Sequence, residues 1–566
     1  MNHINHITKK LGIVLLSGFI LCNVSCKKDF AETNTNPSVV STPDINALFT
    51  YSIENLESYQ GTEWIWENLE QLLRFTQHLT TDPYELSTNI NSRYRVYYNN
   101  ILPNLFAIRN NVATREDKAR YKNINAVTYI VQVLHGLKVT DMNGSMPYLE
   151  AIQARSDNNF KPTYDSQKTL YDTWLKELDA ALADLKGNAT DQVNFGASDF
   201  FYKNEWTNWA KLANTLKLRI AVRYEKQDVE TSKRIFKEVM TDAIGPIDDD
   251  DKSQLVYDKL DHNPIGNDID YRSPRFGTSS IINFLKSTND PRLKIYFSPN
   301  ELVGSFKDVL TANNKTLPSF ININDPLIMY QGGPADWTTD PAVAQYYKNP
   351  FPVATNITFK LMSTINKKFF APRYGGNTSG KMLDYMVTYA ETCFYIAEFI
   401  QKGYGAGFDT KGSAEDWYKK GVTSSLKTMN KIAVNAASTT GFEGNGEVEI
   451  AVYLNQPGVK FNGVNDLERI YIQEYLNFYR LANEAFTFCR RTGYPKNNSA
   501  YYKRNAWNEP IPRRYALDEP PIGTNNENWL KAQQEQGFTP GNKELGVLNS
   551  QRLWFDKTSP NFGEGN

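Results

Sequence analysis

The chain has 566 residues, 40% of them hydrophobic and 22% charged, with 62 basic against 63 acidic side chains. Such proportions belong to a globular chain with enough apolar material for an extensive core. The near-zero net charge of −1 excludes the basic surface on which a nucleic-acid partner depends. The first element in the chain is a secretion signal over residues 1–25. Lys9 and Lys10 precede an apolar stretch at 11–22, too short to span a bilayer, and the small Ser25 precedes Cys26. A small residue before a cysteine at this place marks a lipid-attachment site, although Asn23 stands where leucine is usual. Cys26 is therefore expected to be the acylated N-terminus, with residues 26–43 as a polar tether containing Pro37 and Pro43.

From residue 44 onward helical periodicity dominates. Glu63-Trp64-Ile65-Trp66-Glu67, with Tyr84 and Tyr94 downstream, sets tryptophans among carboxylates. It reads as a first candidate surface for a ligand with an apolar face. Ile65, Leu69, Leu72 and Leu73 also fit a helix that packs those rings. Apolar residues then recur at helical spacing in neighbouring pairs, about 92–112 with 116–139, 165–187 with 205–227, and 383–403 with 413–432. Pro162-Thr163-Tyr164-Asp165 and Ser413-Ala414-Glu415 mark two helix starts. A stripe through Tyr471, Tyr475, Phe478, Ala482, Ala485 and Cys489 continues the pattern. Ala126, Ala213, Ala390 and Ala397 accompany large aromatics on these faces, as in tetratricopeptide-type hairpins. The predicted fold class is all-α, with such hairpins and long irregular loop insertions. Cys393 and Cys489, each in an apolar helical stretch, are expected to be separate buried thiols.

Three stretches lack the period: 244–380, apart from a short helical piece around Ile281–Lys286, then 437–466, and 495 to the end. The first is rich in Asp, Asn, Pro and Gly, and loops of that length on a helical scaffold are where binding residues concentrate. Within it, Tyr330-Gln331-Gly332-Gly333-Pro334-Ala335-Asp336-Trp337 places aromatic rings beside a carboxylate in a backbone unsuited to regular structure. The candidate ligand residues are thus Trp337, Tyr330, Asp336, Trp64, Trp66 and Tyr84, with Trp337 as the stacking platform.

Reactive chemistry finds no pattern. Gly375 to Lys381 approaches a phosphate loop, but Met382 occupies the position of the magnesium-binding hydroxyl; the glycines read as a loop before a helix. Asp248–Asp251 would need glycine and glutamate where Ser253 and Lys259 stand, so a solvated acidic turn is expected rather than a calcium loop. His78, His135 and His262 are far apart in sequence, which gives no metal-ligand spacing. No catalytic residue, metal or cofactor is assigned, and the chain reads as a non-enzyme.

One set of motifs points to a family. Asn34-Thr35-Asn36-Pro37 is followed by Asp141-x-x-Gly144-x-x-Pro147-Tyr148-x-Glu150-Ala151 and Pro162-x-Tyr164-Asp165-x-Gln167. Next come Trp209-Ala210-Lys211-Leu212-Ala213-Asn214-x-Leu216-x-Leu218-Arg219 and Asp290-Pro291-Arg292-Leu293. Tyr389-Ala390-Glu391-x-x-Phe394-x-x-Ala397-Glu398, Tyr418-x-x-Gly421-Val422, Glu484-Ala485-Phe486 and Arg490-Arg491-Thr492-Gly493-Tyr494-Pro495 complete it. In this order the set resembles the SusD/RagB nutrient-binding outer-membrane lipoproteins, in the SusD-like branch, from Cys26 nearly to the end. Ser145, Leu149 and Phe486 depart from the usual residues, and Arg513-Arg514-Tyr515-Ala516 follows the family's C-terminal element only loosely.

The resemblance implies a helical domain over 44–566 with its ligand region near 244–380. It also implies a lipid-anchored protein at the outer membrane, facing the cell exterior. Such a protein caps a SusC-like TonB-dependent barrel and hands it a captured nutrient, usually an oligosaccharide. A peptide ligand is the alternative within that class, and a surface glycan-degrading enzyme is the alternative outside it. The family shares scaffold motifs and not ligand residues, so no binding residue is carried over.

Overall fold

Polar side chains set the helix boundaries. Ser166 Oγ accepts from Thr169 N, Thr388 Oγ1 accepts from Glu391 N, and Ser413 with Asp416 forms a reciprocal capping box; each satisfies N–H groups left open in a first helical turn. The structure, a computed structural model, describes residues 44–565 apart from 58–59, 82–90, 155–156, 188–190, 259–268, 270–274, 318, 320, 337–360, 440 and 508. The chain divides into a short unit, 1–45, and a body, 46–566; the body is the subject below.

In chain order the body contains α1 (Gln60–Leu72, wound as a π-helix), β1 (Leu79–Thr80), α2 (Leu102–Ala113), α3 (Lys122–Asn143), α4 (Gln167–Lys186), α5 (Trp206–Tyr224) and α6 (Val229–Thr241). Then follow β2 (Leu255–Tyr257), β3 (Phe276–Gly277), α7 (Ser279–Ser287), β4 (Asp384–Val387), α8 (Tyr389–Gln401) and α9 (Ala414–Asn435). The last are α10 (Glu447–Leu454), α11 (Asp466–Asn477), α12 (Ala482–Thr492), α13 (Asn526–Glu535) and α14 (Leu545–Ser550). The strands form two small antiparallel pairs, β1 with β3 and β2 with β4. The fold is mostly helical.

The expected hairpins are present as α2/α3, α4/α5 and α8/α9, and α4 also packs on α3. Close approach depends on glycine opposite a large ring. A Cβ at Gly136 of α3 would stand 2.8 Å from the buried ring of Trp174 in α4, and one at Gly421 of α9 would stand 2.8 Å from Phe394 of α8. This nesting of small against large residues is the tetratricopeptide-like packing that the composition of the helix faces predicts.

Charged side chains tie the hairpins together inside the core. Arg219 and Arg223, one turn apart on α5, reach in different directions. Arg219 binds Glu391 of α8 through Nε and Nη2 at 2.5 and 2.8 Å. Arg223 binds Asp141 of α3 at 2.6 Å and Glu484 of α12 at 3.0 Å. Arg491 of α12 closes on Glu398 of α8 at 2.5 and 2.9 Å, while Lys402 bridges Glu398 and Glu225, both at 2.7 Å. All of these groups are buried except Lys402, which is half-buried.

Several boundaries differ from the sequence reading. The stretch 383–403 is not one helix: Asp384–Val387 is a strand paired with β2, and α8 starts only after Thr388 caps it. Burial of Tyr385 and Val387 on one strand resembles a helical period over so short a run. For the same reason the glycines at 375–380 lead into a strand rather than a helix. The stripe from Tyr471 to Cys489 is two helices, α11 and α12, separated by a turn at Phe478–Arg480 and a non-helical Leu481. The short helical piece read around Ile281–Lys286 is present as α7, and helices also occur in stretches that lack a sequence period: shorter turns within 244–380, α10 within 437–466, and α13 and α14 near the end. Cys393 and Cys489 are free and buried, as expected.

Candidate functional site

The break between α11 and α12 shapes a cavity. Because Leu481 leaves helical conformation (φ −105°, ψ 63°), Arg480 and Asn483 face a space bounded by α1, α3, α5 and β4 instead of continuing one helix face. The cavity has about 590 Å³ of empty space, its mouth included, and is half-enclosed. Leu56, Trp64, Leu134, Met386, Leu481 and Ala482 supply its apolar wall. Glu63, Lys138, Arg219, Asp384, Arg480, Asn483 and Glu484 supply its polar groups. α1 brings Glu63 and Trp64 here on a π-helix, a geometry that recurs at functional sites because it alters side-chain direction.

Its charges differ in how well they are matched. Burial alone would raise the Glu63 carboxyl, but Lys138 at 2.8 Å and Arg93 at 3.5 Å outweigh it and hold its pKa at about 2. Arg480 is in the opposite condition. Burial pulls its guanidinium below the usual value, and the charges of Asp384, 3.7 Å from Nη2, and of Glu57 only partly offset this. Nη1 donates to Leu383 O at 3.0 Å, and Nη2 has only the weak acceptor Met382 Sδ at 3.5 Å. The guanidinium also lies over the Trp64 and Phe369 rings, 5.5 and 5.3 Å from their centroids.

The structure separates the two sequence candidates. Trp64 is 4% exposed, packs against Phe370, and lines the cavity. Trp66, two residues along α1, is half-buried. Tyr84 and Trp337 lie outside the described residues. Tyr330 is half-buried and Asp336 buried, and neither lines the cavity. Their segment is pinned to the scaffold: Gly333 N donates to Gly277 O (2.9 Å), Ser279 N donates to Gly333 O (2.7 Å), and Thr80 Oγ1 donates to Pro334 O (2.7 Å). A Cβ at Gly332 would come within 2.4 Å of Ser279 Cα, so only glycine permits this approach. Residues 330–336 are therefore anchored on β1, β3 and α7 up to the point where Trp337 follows.

Arg480, Asn483 and Asp384 were not anticipated from sequence. Arg480 and Asn483 fall between the apolar positions of the Tyr471–Cys489 stripe and Asp384 lies outside it, so no spacing signalled them. Among the described residues no group of three or more His, Cys, Asp or Glu side chains is placed to hold a metal ion, and no helix is long and apolar enough to cross a membrane.

Helical hairpins, a half-enclosed aromatic and polar cavity, and an anchored loop segment define the class: a helical ligand-binding body. The SusD-like family profile described as "Starch-binding associating with outer membrane" matches residues 34–517. The chain belongs to this family, which is one of binding proteins. Among solved structures, a chitin-binding SusD homolog from Flavobacterium johnsoniae is 20% identical with a TM-score of 0.63, over 92% of this chain and 100% of that one. A chitin-binding protein is 22% identical with a TM-score of 0.65, over 91% and 100%. A SusD homolog from Bacteroides fragilis is 21% identical with a TM-score of 0.64, over 91% and 100%. No curated protein matches the chain.

Proposed function

We propose that this protein is a cell-surface lipoprotein that binds an oligosaccharide and, as the cap of a SusC-like TonB-dependent barrel, delivers it for import. The observation that carries the reading is the match of residues 34–517 to a family described as starch-binding and associated with the outer membrane. The names of two similar structures, both chitin-binding, favour glycan over peptide. A binding role without catalysis agrees with the chemistry of the candidate nucleophiles. Burial raises both thiols, that of Cys489 to about 12, so neither supplies a thiolate.

The glycan surface of this reading is the loop region around Trp337, with Tyr330 and Asp336 leading into it, and Trp64, Trp66 and Tyr84 as the second set. A sugar offers a C–H face to an aromatic ring and hydroxyls to neighbouring polar groups. Trp337→Ala is expected to weaken binding of maltoheptaose or chitohexaose about tenfold, the scale of one lost stacking contact, with the thermal midpoint unchanged. Titration calorimetry and a melting curve check this. Full-strength binding, or loss of stability instead, would place Trp337 in the scaffold. Binding of oligopeptides but of neither glycan would favour the peptide alternative, and cleavage products would favour an enzyme.

Anchoring and partnership share one experiment on native membranes. The wild-type protein is expected in the membrane fraction and, after mild detergent extraction, bound to an outer-membrane barrel. Cys26→Ala is expected in the soluble fraction, because the acyl chains supply the membrane affinity. A Cys26→Ala protein that stays in the membrane fraction in a strain lacking the barrel would overturn the lipid anchor.

A further inference from the structure

The cavity between α1, β4 and the α11–α12 turn contains more hydrogen-bonding capacity than the protein uses. Among the described residues, Trp64 Nε1, Arg480 Nε, and both Nδ2 and Oδ1 of Asn483 have no hydrogen-bond partner. These side chains are 4%, 7% and 8% exposed, respectively, so bulk water does not readily satisfy them, and a buried polar group without a partner is costly. Three of the four open positions are N–H donors. The neighbouring carboxylates are already engaged: Glu63 with Lys138 and Arg93, Glu484 with Arg219 and Arg223. That leaves the Arg480 guanidinium facing Asp384 at 3.7 Å, beyond hydrogen-bond distance.

We infer that this cavity is a second ligand site, which takes a carboxylate group from a small polar molecule such as a uronic acid. A carboxylate brings two oxygens with about four acceptor positions, which suits three open N–H donors on residues that line one cavity. It brings one negative charge, which suits one poorly matched guanidinium. The remaining acceptor, Asn483 Oδ1, takes a ligand hydroxyl. The apolar wall of Trp64, Leu134 and Met386 borders the ring that bears these groups. A neutral hexose fits less well, because it leaves the buried guanidinium as it is. A dianionic phosphate overcharges a site in which Asp384 is already present.

This site goes beyond the oligosaccharide reading and does not rest on it, since apart from Trp64 it uses different residues, and it takes a different probe. The test is titration calorimetry of the full chain with D-glucuronate and with D-glucose, which differ only in the carboxylate. Glucuronate is expected to bind at one site, and glucose at least tenfold more weakly, the usual scale of a charge-assisted pair. Asn483→Asp supplies the negative charge from the protein itself. It is expected to lower glucuronate affinity at least tenfold while the thermal midpoint stays or rises. Equal binding of both sugars, no glucuronate binding, or an Asn483→Asp protein that retains full affinity would each overturn the assignment. If that variant fails to fold, the wild-type comparison of the two sugars still decides.

Discussion

Arg223→Met is expected to destabilise the body by about 3–5 kcal/mol, the usual cost of removing one partner from a buried ion pair. Arg223 Nε and Nη2 hold both oxygens of Asp141 at 2.6–3.1 Å, Nη2 also holds Glu484 at 3.0–3.1 Å, and Nη1 donates to Arg219 O at 2.8 Å. Methionine fills similar volume but leaves two carboxylates desolvated. Glu484 would retain only Arg219 at 3.6 Å, and Asp141 only long contacts with Tyr171 and Thr487 at 3.3 and 3.5 Å. The measurement is the urea midpoint followed by far-UV circular dichroism. The triple variant Arg223→Met, Asp141→Asn, Glu484→Gln should recover part of the loss, since neutral amides are less costly to bury than unmatched carboxylates. The exposed pair Lys168–Asp172 is the control, with an expected effect below about 1 kcal/mol. An unchanged midpoint for Arg223→Met would remove these arginines from the list of groups that clamp the helices.

The second large effect is acid sensitivity through two buried histidines. His78 Nε2 donates to Tyr475 O (2.8 Å), and its ring stacks on Tyr475 with centroids 3.8 Å apart. His135 Nε2 donates to Arg93 O (3.0 Å). Burial depresses both to about 3. A depressed histidine contributes stability in full above its unfolded value of about 6.5, and loses it as pH falls toward the folded value, because the unfolded chain takes up the proton first. Each histidine should therefore cost about 1.4 kcal/mol per pH unit between 6.5 and 3. Raised carboxyls pull the other way: Glu177, held near 7 by burial, contributes stability below about 4.5 that is lost as pH rises to 7. The wild-type slope thus mixes both signs, and the wild-type-minus-variant difference isolates the histidines. His78→Gln and His135→Gln should each make the fall in stability between pH 6.5 and 4.5 shallower, by about 2 kcal/mol over that window. Parallel curves for wild type and variants would show that these imidazoles do not set the acid limit.

The residues that were legible in sequence are those that perform structural work. Asp141, Arg219, Glu391, Glu398, Glu484 and Arg491 belong to the motifs quoted above, and all lie in the buried charge lattice that joins α3, α5, α8 and α12. A buried charge must find its partner, so it leaves a constrained pattern in the chain. The hairpins were legible through their 3.6-residue period. The split of 383–403 into β4 and α8 was not, because a four-residue strand is too short for its alternation to compete with the helical period that follows. The cavity was legible only in part. Trp64 stood out as a tryptophan, but Arg480, Asn483 and Asp384 are brought to it by a single non-helical residue, Leu481, and by a strand pairing. Neither leaves a spacing that sequence can show. The loop candidates Tyr330 and Asp336 were read as a unit with Trp337, and the structure accounts for the anchored half of that unit.

The charge lattice also governs the order in which the body can be completed. Arg223 and Asp141 are separated by 82 residues, Arg219 and Glu391 by 172, and Arg223 and Glu484 by 261. A chain that emerges N-terminus first presents Arg223 with Asp141 of α3 already made, but Arg219 long before Glu391 of α8 and both arginines long before Glu484 of α12. The first hairpins can form locally, but the cation pair at their centre stays incompletely matched until about residue 484 has arrived. Such distant closure slows folding and prolongs the exposure of apolar faces. The N-terminal half on its own is therefore expected to stay sensitive to proteolysis, and the body to become resistant only once α12 is present.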